Sequence, residues 1–339
     1  MARVLIVDDS PTVRAVLRRL LSQHPDLSVI GEAENGQEAV EKALKLRPDV
    51  ILMDVEMPVM DGLAAIEQTM KLCPTSILVV TSRANRDRLA VAFEALRRGA
   101  LEVLPKPEAP GGWHELAKRL PEMVRTAARL SPAPKLPKAP ATIPAVAPRA
   151  VEWILVGAST GGPGALRSFL DALPASLKAP VAVVQHITPG FEEGLAQWLG
   201  STTGRDVRLA SDGEKPPPGA VRLAPAEAHL RLTGRGLLQL DTTTPPRNGH
   251  RPSVDVLFES ALAFRPTRLV AILLSGMGND GASGLLALKN AGAVTAVQDE
   301  ASCAVFGMPK QALELGAAEV ALRPEDLARY VALVAGEKP

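Results

Sequence analysis

Three residues that end apolar runs carry the elements of nucleophilic chemistry. Ser159 follows "VEWILVG", His186 follows "PVAVVQ", and Asp280 follows "LVAILLSG" through the turn "MGND". A serine hydroxyl is weakly nucleophilic at neutral pH, so it needs a base to take its proton and an acid to fix that base's tautomer. Ser159, His186 and Asp280 supply one of each, and the backbone N–H groups near Thr160 and Met277 are candidates for an oxyanion hole. The turn "GASTG", Gly157 to Gly161, fits G-x-S-x-G, which exposes a serine beside free N–H groups. The order Ser, His, Asp differs from the Ser, Asp, His order of α/β-hydrolases and points to convergent geometry on another fold. A glycine-rich turn of this kind also serves as a helix cap or a phosphate cradle. Here the P-loop lysine is missing, and Pro163 interrupts a dehydrogenase-like spacing. Asp255 and Asp299 are rivals to Asp280, while His24, His114, His229 and His250 fall in polar or loop-like stretches.

A second cluster is acidic. Asp8 and Asp9 end the first apolar run, Asp54 the third, Thr81 the fourth, and Lys106 follows the fifth. Three converging carboxylates repel one another unless a hard cation joins them, and Mg²⁺ suits a few carboxylates plus waters. Such a site can carry a phosphoryl group on Asp54, its oxygens neutralised by Mg²⁺, Lys106 and the Thr81 hydroxyl.

Both clusters need parallel strands to bring them together. "RVLIVDD", "LSVIGEAE", "DVILMDVEM", "SILVVTS" and "LEVLPK" alternate with helical spacings such as Val13, Leu17, Leu20 and Leu21 after the Ser10–Pro11 start signal. Later, "VEWILVG", "PVAVVQH", "LVAILLSG" and "AVTAVQD" repeat the pattern, and "LRLTGRGLLQLD" reads as a hairpin turning near Gly234 and Gly236. Near-continuous apolar strands between helices imply parallel sheets covered on both faces, with ligands beyond the strands' carboxyl ends. Between the halves lies "SPAPKLPKAPATIPAVAPRA", with six prolines from Ser131 to Ala150. It reads as a semi-extended linker spanning up to about 60 Å at roughly 3 Å per residue. The expected domains are residues 1–125 and 151–339, with a linker over 126–150.

The chain has 339 residues, 46% apolar and 22% charged, with a net charge of +1. Neither nucleic acid nor an anionic membrane is an expected partner at that charge. Two distant cysteines, Cys73 and Cys303, no apolar run of transmembrane length and an early Asp8 predict a cytoplasmic protein.

"VDDS" at 7–10, "LMDVEMPVMDG" at 52–62, "VVTS" at 79–82 and "PKP" at 105–107 make residues 1 to about 125 resemble a response-regulator receiver domain. The resemblance implies a flavodoxin-like (βα)5 fold, Asp54 as phosphoacceptor, Asp8 and Asp9 helping to hold Mg²⁺, Thr81 and Lys106 as switch residues, and a histidine kinase as phosphodonor. Receivers usually carry Tyr or Phe three residues before the lysine; this chain has Val103, which puts the aromatic relay in question. "VGASTGGPGAL", "VVQHI", "RPSVDVLFESA", "LLSGMGNDGASGL" and "QDEASCAVFGMP" are similar to the catalytic domain of the chemotaxis protein-glutamate methylesterases. That similarity implies a doubly wound, mostly parallel α/β esterase domain with Ser159 as nucleophile, His186 as base and Asp280 as orienting acid, without a cofactor for ester hydrolysis. It implies methylated glutamates on the cytoplasmic helices of chemoreceptors as substrate, deamidation of receptor glutamines, and inhibition by the unphosphorylated receiver. Other readings are a phospho-switched adaptor without catalysis, a methylesterase of another signalling pathway, a DNA-binding regulator, or a nucleotide-binding enzyme using the glycines near Ser159.

Overall fold

Strands covered on both faces need near-continuous apolar sequence, and each of the two compact units, Met1–Pro134 and Lys135–Pro339, is built on such strands. The computed structural model describes residues 1–81, 93–107, 112–130 and 143–337. In the first unit β1 (Ala2–Val7), β2 (Leu27–Ala33), β3 (Val50–Met53), β4 (Ser76–Thr81) and β5 (Glu102–Pro105) form a parallel sheet in the order β2-β1-β3-β4-β5. Every residue of β3, β4 and β5 is buried. The first helix starts where Ser10 and Pro11 predict. The Ser10 hydroxyl accepts from the Val13 N–H, and Pro11 takes the first helical position, where no N–H is needed. Leu17 and Leu21 of this helix and Leu116, Leu120 and Val124 of the helix Gly112–Arg129 share one core with Val4, Ile6, Leu52 and Leu78 of the sheet.

Described structure reaches into both ends of the stretch expected as a linker. The helix Gly112–Arg129 continues past residue 125 because Val124 and Ala127 still face the core. At the other end the Arg149 N–H already donates to the Val334 carbonyl of the second unit, at 2.7 Å. The middle of the expected linker, 131–142, lies outside the described residues.

The second unit holds seven parallel strands in the order β14-β13-β12-β6-β7-β9-β8. They are β6 (Trp153–Ala158), β7 (Val181–Gln185), β8 (Val207–Leu209), β9 (Val221–Leu223), β12 (Leu269–Leu273), β13 (Val294–Gln298) and β14 (Val320–Leu322). The antiparallel pair β10 (His229–Leu232) and β11 (Leu238–Asp241) is the expected hairpin, with Gly236 at φ 73° in its turn. From β6 the chain builds outward through β7, then returns to build the other side from β12. A sheet that reverses its strand order in this way opens a crevice beyond the carboxyl ends at the reversal. The helix Gly162–Ala172 packs with Glu192–Thr203 and Pro324–Val334, whereas Ala282–Asn290 packs with Val254–Ser260 and Met308–Glu314. Among the described residues no helix is long and apolar enough to cross a membrane.

Candidate functional site

The crevice at the reversal point is built from the ends of β12, β6 and β7. β6 and β7 pair with Ala158 opposite Gln185, so Ser159 and His186 are the next residues on adjacent strands. The His186 N–H donates to the Ala158 carbonyl at 2.9 Å. On the other side, the Ser159 N–H donates to the Ser275 carbonyl just past β12, at 3.0 Å. Ser275 Oγ in turn donates to the Thr160 carbonyl at 2.8 Å. The buried Gln185 carboxamide ties the two strands together, its Nε2 donating to the Ser159 carbonyl at 2.8 Å and the His186 carbonyl at 2.9 Å. Both glycines of "GASTG" have structural work. Gly161 sits at φ 74°, and a Cβ on Gly157 would lie 2.3 Å from Val254 Cγ1.

Asp280 meets His186 directly, Nε2 to Oδ2, at 2.8 Å. Its Oδ1 accepts from Ser253 Oγ at 2.7 Å and the Asp255 N–H at 3.0 Å, and its Oδ2 from the Val254 N–H at 2.7 Å. Burial alone would raise its pKa, but the His186 partner and these donors hold it well below the usual carboxylate range. The ionised carboxylate therefore accepts from Nε2–H. His186 Nδ1, buried and without a hydrogen-bond partner among the described residues, keeps its lone pair as the basic edge. This is the reverse of the trypsin-type arrangement, where Nδ1 faces the acid.

The rival acids are engaged elsewhere. Asp255 Oδ1 accepts from the Gly284 N–H at 2.7 Å, and Asp299 Oδ1 from the Ser302 N–H at 2.8 Å. The two oxyanion candidates differ. Thr160 directly follows Ser159, while Met277 is partly exposed beside the bridge of Gly276 with Phe306. The Ser159 N–H is already committed to Ser275.

Sequence reasoning missed several residues around the site, Ser253 among them. Gln185 and Ser275 flank the strand ends and were signalled by that position alone. His250 stacks on His186, with ring centroids 4.0 Å apart and planes 2° from parallel. It is carried by a tight turn in which Asn248 and Gly249 both have positive φ, 51° and 81°. The local signal was that Asn-Gly pair. His229, expected in a polar or loop-like stretch, is fully buried on β10.

In the first unit three carboxylates gather at the strand ends. Carboxylate oxygens of Asp8, Asp9 and Asp54 lie within 4.8 Å of one another. Lys106 Nζ lies 2.5 Å from Asp54 Oδ2 and 2.7 Å from Asp8 Oδ2. Its backbone N–H is anchored to the Thr81 carbonyl at 2.7 Å. Burial pushes the Asp54 carboxyl up to about 6 against the pull of Lys106, and raises Asp8 as well. Asp8 and Asp54 are buried and Asp9 is exposed; such a set of oxygen donors, carrying more negative charge than Lys106 offsets, fits a hard divalent cation. Val103, in the position where receivers usually hold an aromatic ring, is buried in β5.

A serine, histidine and aspartate at the reversal point of a doubly wound sheet equip a hydrolase, here joined in one chain to an α/β unit with an acidic strand-end pocket. Comparison with known proteins narrows this class. The family model described as CheB methylesterase matches residues 154–331, and that of the response regulator receiver domain matches residues 4–118. The chain belongs to the CheB methylesterase family and carries a receiver domain. It is 42% identical to a protein-glutamate methylesterase/protein-glutamine glutaminase of Anaeromyxobacter dehalogenans, over 98% of this chain and 99% of that one. A protein of the same designation from Geobacter metallireducens is 39% identical over 100% of both chains. The crystal structure of the Thermotoga maritima CheB methylesterase catalytic domain is similar at a TM-score of 0.51 and 35% identity, covering 55% of this chain and 98% of that one.

Proposed function

We propose that this enzyme hydrolyses methyl esters of glutamate side chains on the cytoplasmic helices of chemoreceptors, releasing methanol, and deamidates receptor glutamines. The observation that carries the reading is the part-buried His186–Asp280 bond at 2.8 Å, one strand away from Ser159. Ser159 Oγ attacks the ester carbonyl carbon while its proton passes to His186 Nδ1. The imidazolium so formed is stabilised through Nε2–H by Asp280. The negative charge on the carbonyl oxygen is met by backbone N–H groups, with Thr160 the nearest in sequence and Met277 the second candidate. Methoxide leaves with the proton from His186, giving methanol and an acyl-serine. Water then attacks the acyl carbon, His186 takes its proton, and the glutamate carboxylate departs as the proton returns to Ser159 Oγ. For a glutamine substrate the leaving group is ammonia, and the second half is the same.

The receiver supplies control. A histidine kinase would donate a phosphoryl group to Asp54; Asp8, Asp9 and Asp54 would hold Mg²⁺, and Lys106 and the Thr81 hydroxyl would take up phosphoryl oxygens. Bound Mg²⁺ supplies neutralisation of the phosphoryl charge. The unphosphorylated receiver restrains the catalytic unit, to which it is tethered at high effective concentration. Serine-directed labelling tests the nucleophile: a fluorophosphonate should modify Ser159, located by peptide mass spectrometry, and Ser159→Ala should block it. Labelling that persists in Ser159→Ala would remove the assignment.

A further inference from the structure

We propose that His229 is a positioning residue for this ester hydrolysis, acting through Ser253 on Asp280; the proposal rests on the reading of Ser159, His186 and Asp280 given above. His229 opens β10 and is fully buried. Its Nδ1 lies 3.2 Å from the Ser253 backbone nitrogen. A backbone N–H can only donate, so Nδ1 is the acceptor and the ring proton sits on Nε2. From there it donates to the Pro245 carbonyl at 3.2 Å. The neutral Nε2–H form alone satisfies both contacts. The other tautomer sets two donors against each other at Ser253 and strands the Pro245 carbonyl; the imidazolium does the first of these.

Ser253 is the junction. It is fully buried, and its hydroxyl donates to Asp280 Oδ1 at 2.7 Å. The next two backbone N–H groups, of Val254 and Asp255, donate to the same carboxylate at 2.7 Å and 3.0 Å. The segment that His229 grips therefore holds Asp280 from three atoms, and Asp280 holds His186. A shift of that segment turns the carboxylate and with it the base, and a misplacement of about 1 Å costs on the order of 10²-fold in rate. A histidine serving only as core filling would need no acceptor at Nδ1.

That difference can be tested by two substitutions that split the ring. Asparagine places its carboxamide oxygen near the Nδ1 position, and glutamine its carboxamide nitrogen near the Nε2 position. His229→Asn thus keeps the acceptor for Ser253, and His229→Gln keeps only the donor to Pro245. Methanol release from methylated receptor membranes is measured with the full chain, beside Asp280→Asn. His229→Gln should lower kcat by about 10²-fold with KM within about twofold, and His229→Asn should recover roughly tenfold or more of that loss. Equal losses in both variants, or two variants near the unsubstituted rate, would overturn the proposal. Full activity in Asp280→Asn would instead overturn the triad reading, and the role of His229 with it. The unsubstituted protein gives an independent check. Its ¹⁵N NMR spectrum should show His229 protonated at Nε2 with Nδ1 accepting near neutral pH, and a protonated Nδ1 would overturn the proposal even where the glutamine variant fails to fold.

Discussion

Asp280 shows how one side chain joins charge and burial. Its carboxylate is desolvated yet stays ionised, because His186, Ser253 and two backbone N–H groups all present hydrogen to it. Asp280→Asn keeps the shape and removes the charge that stabilises the His186 imidazolium. A fall in kcat of about 10⁴-fold is expected in methanol-release assays, with a smaller change in KM. Val59 raises a different residue-scale point. It is a β-branched residue at φ 68° and 81% exposed, in the loop that follows Asp54. The left-handed region costs such a side chain about 1–2 kcal/mol, so Val59→Asn should stabilise the chain by about 1 kcal/mol in urea unfolding. An unchanged midpoint would mean the loop relaxes around the valine at no cost.

At the scale of elements, the strands that place the chemistry were readable because each is a run of buried apolar residues. β1, β3, β4, β6, β7, β12 and β13 end where the runs predict, and Asp8, Asp54, Thr81, Ser159 and His186 follow from those ends. What stayed hidden has physical causes. β8, β9 and β14 have three residues each, too few for any periodicity to register. In β10 the alternation puts Leu230 and Leu232 on the core side and His229 on the opposite face. The segment that carries Pro245 and Ser253 covers that face. Ser253 has the type and place of a helix N-cap, and no local signal tells that its hydroxyl goes to Asp280.

Two expectations belong to these element ends. Gly161→Ala should cost stability and rate together, since Gly161 has φ 74° and a Cβ there would lie 2.3 Å from Ala304 Cβ. A melting temperature and kcat both equal to those of the parent would contradict the tight turn. The acidic pocket is pH-sensitive in a definite direction. Asp54 titrates near 6 in the folded chain against an ordinary 3.8, because burial disfavours its charge. Over that window the folded chain keeps a proton that the unfolded chain has lost, so stability falls as pH rises through it. A divalent cation bound to the ionised carboxylates would relieve that penalty. Millimolar Mg²⁺ should therefore raise the melting temperature more near pH 7 than near pH 5, and Asp54→Asn should shrink the difference. An equal shift at both pH values would argue against the carboxylate site.

For the whole molecule, the two compact units divide sensing from chemistry. Phosphoryl transfer is proposed at the strand ends of one sheet, and ester cleavage at the strand ends of the other. Asp54→Asn should leave the basal hydrolysis of the full chain in place and abolish its response to a phosphodonor. Removing residues 1–142 should raise the basal rate and make it independent of phosphodonor. A shortened chain no faster than the unphosphorylated parent would rule out restraint by the receiver.

The most direct measurement is methanol release from methylated chemoreceptor membranes by the full chain and by Ser159→Ala, each with Mg²⁺ and with or without a small-molecule phosphodonor. Release that rises with phosphodonor in the parent and disappears in Ser159→Ala is the predicted result. Release that persists in Ser159→Ala would contradict the account.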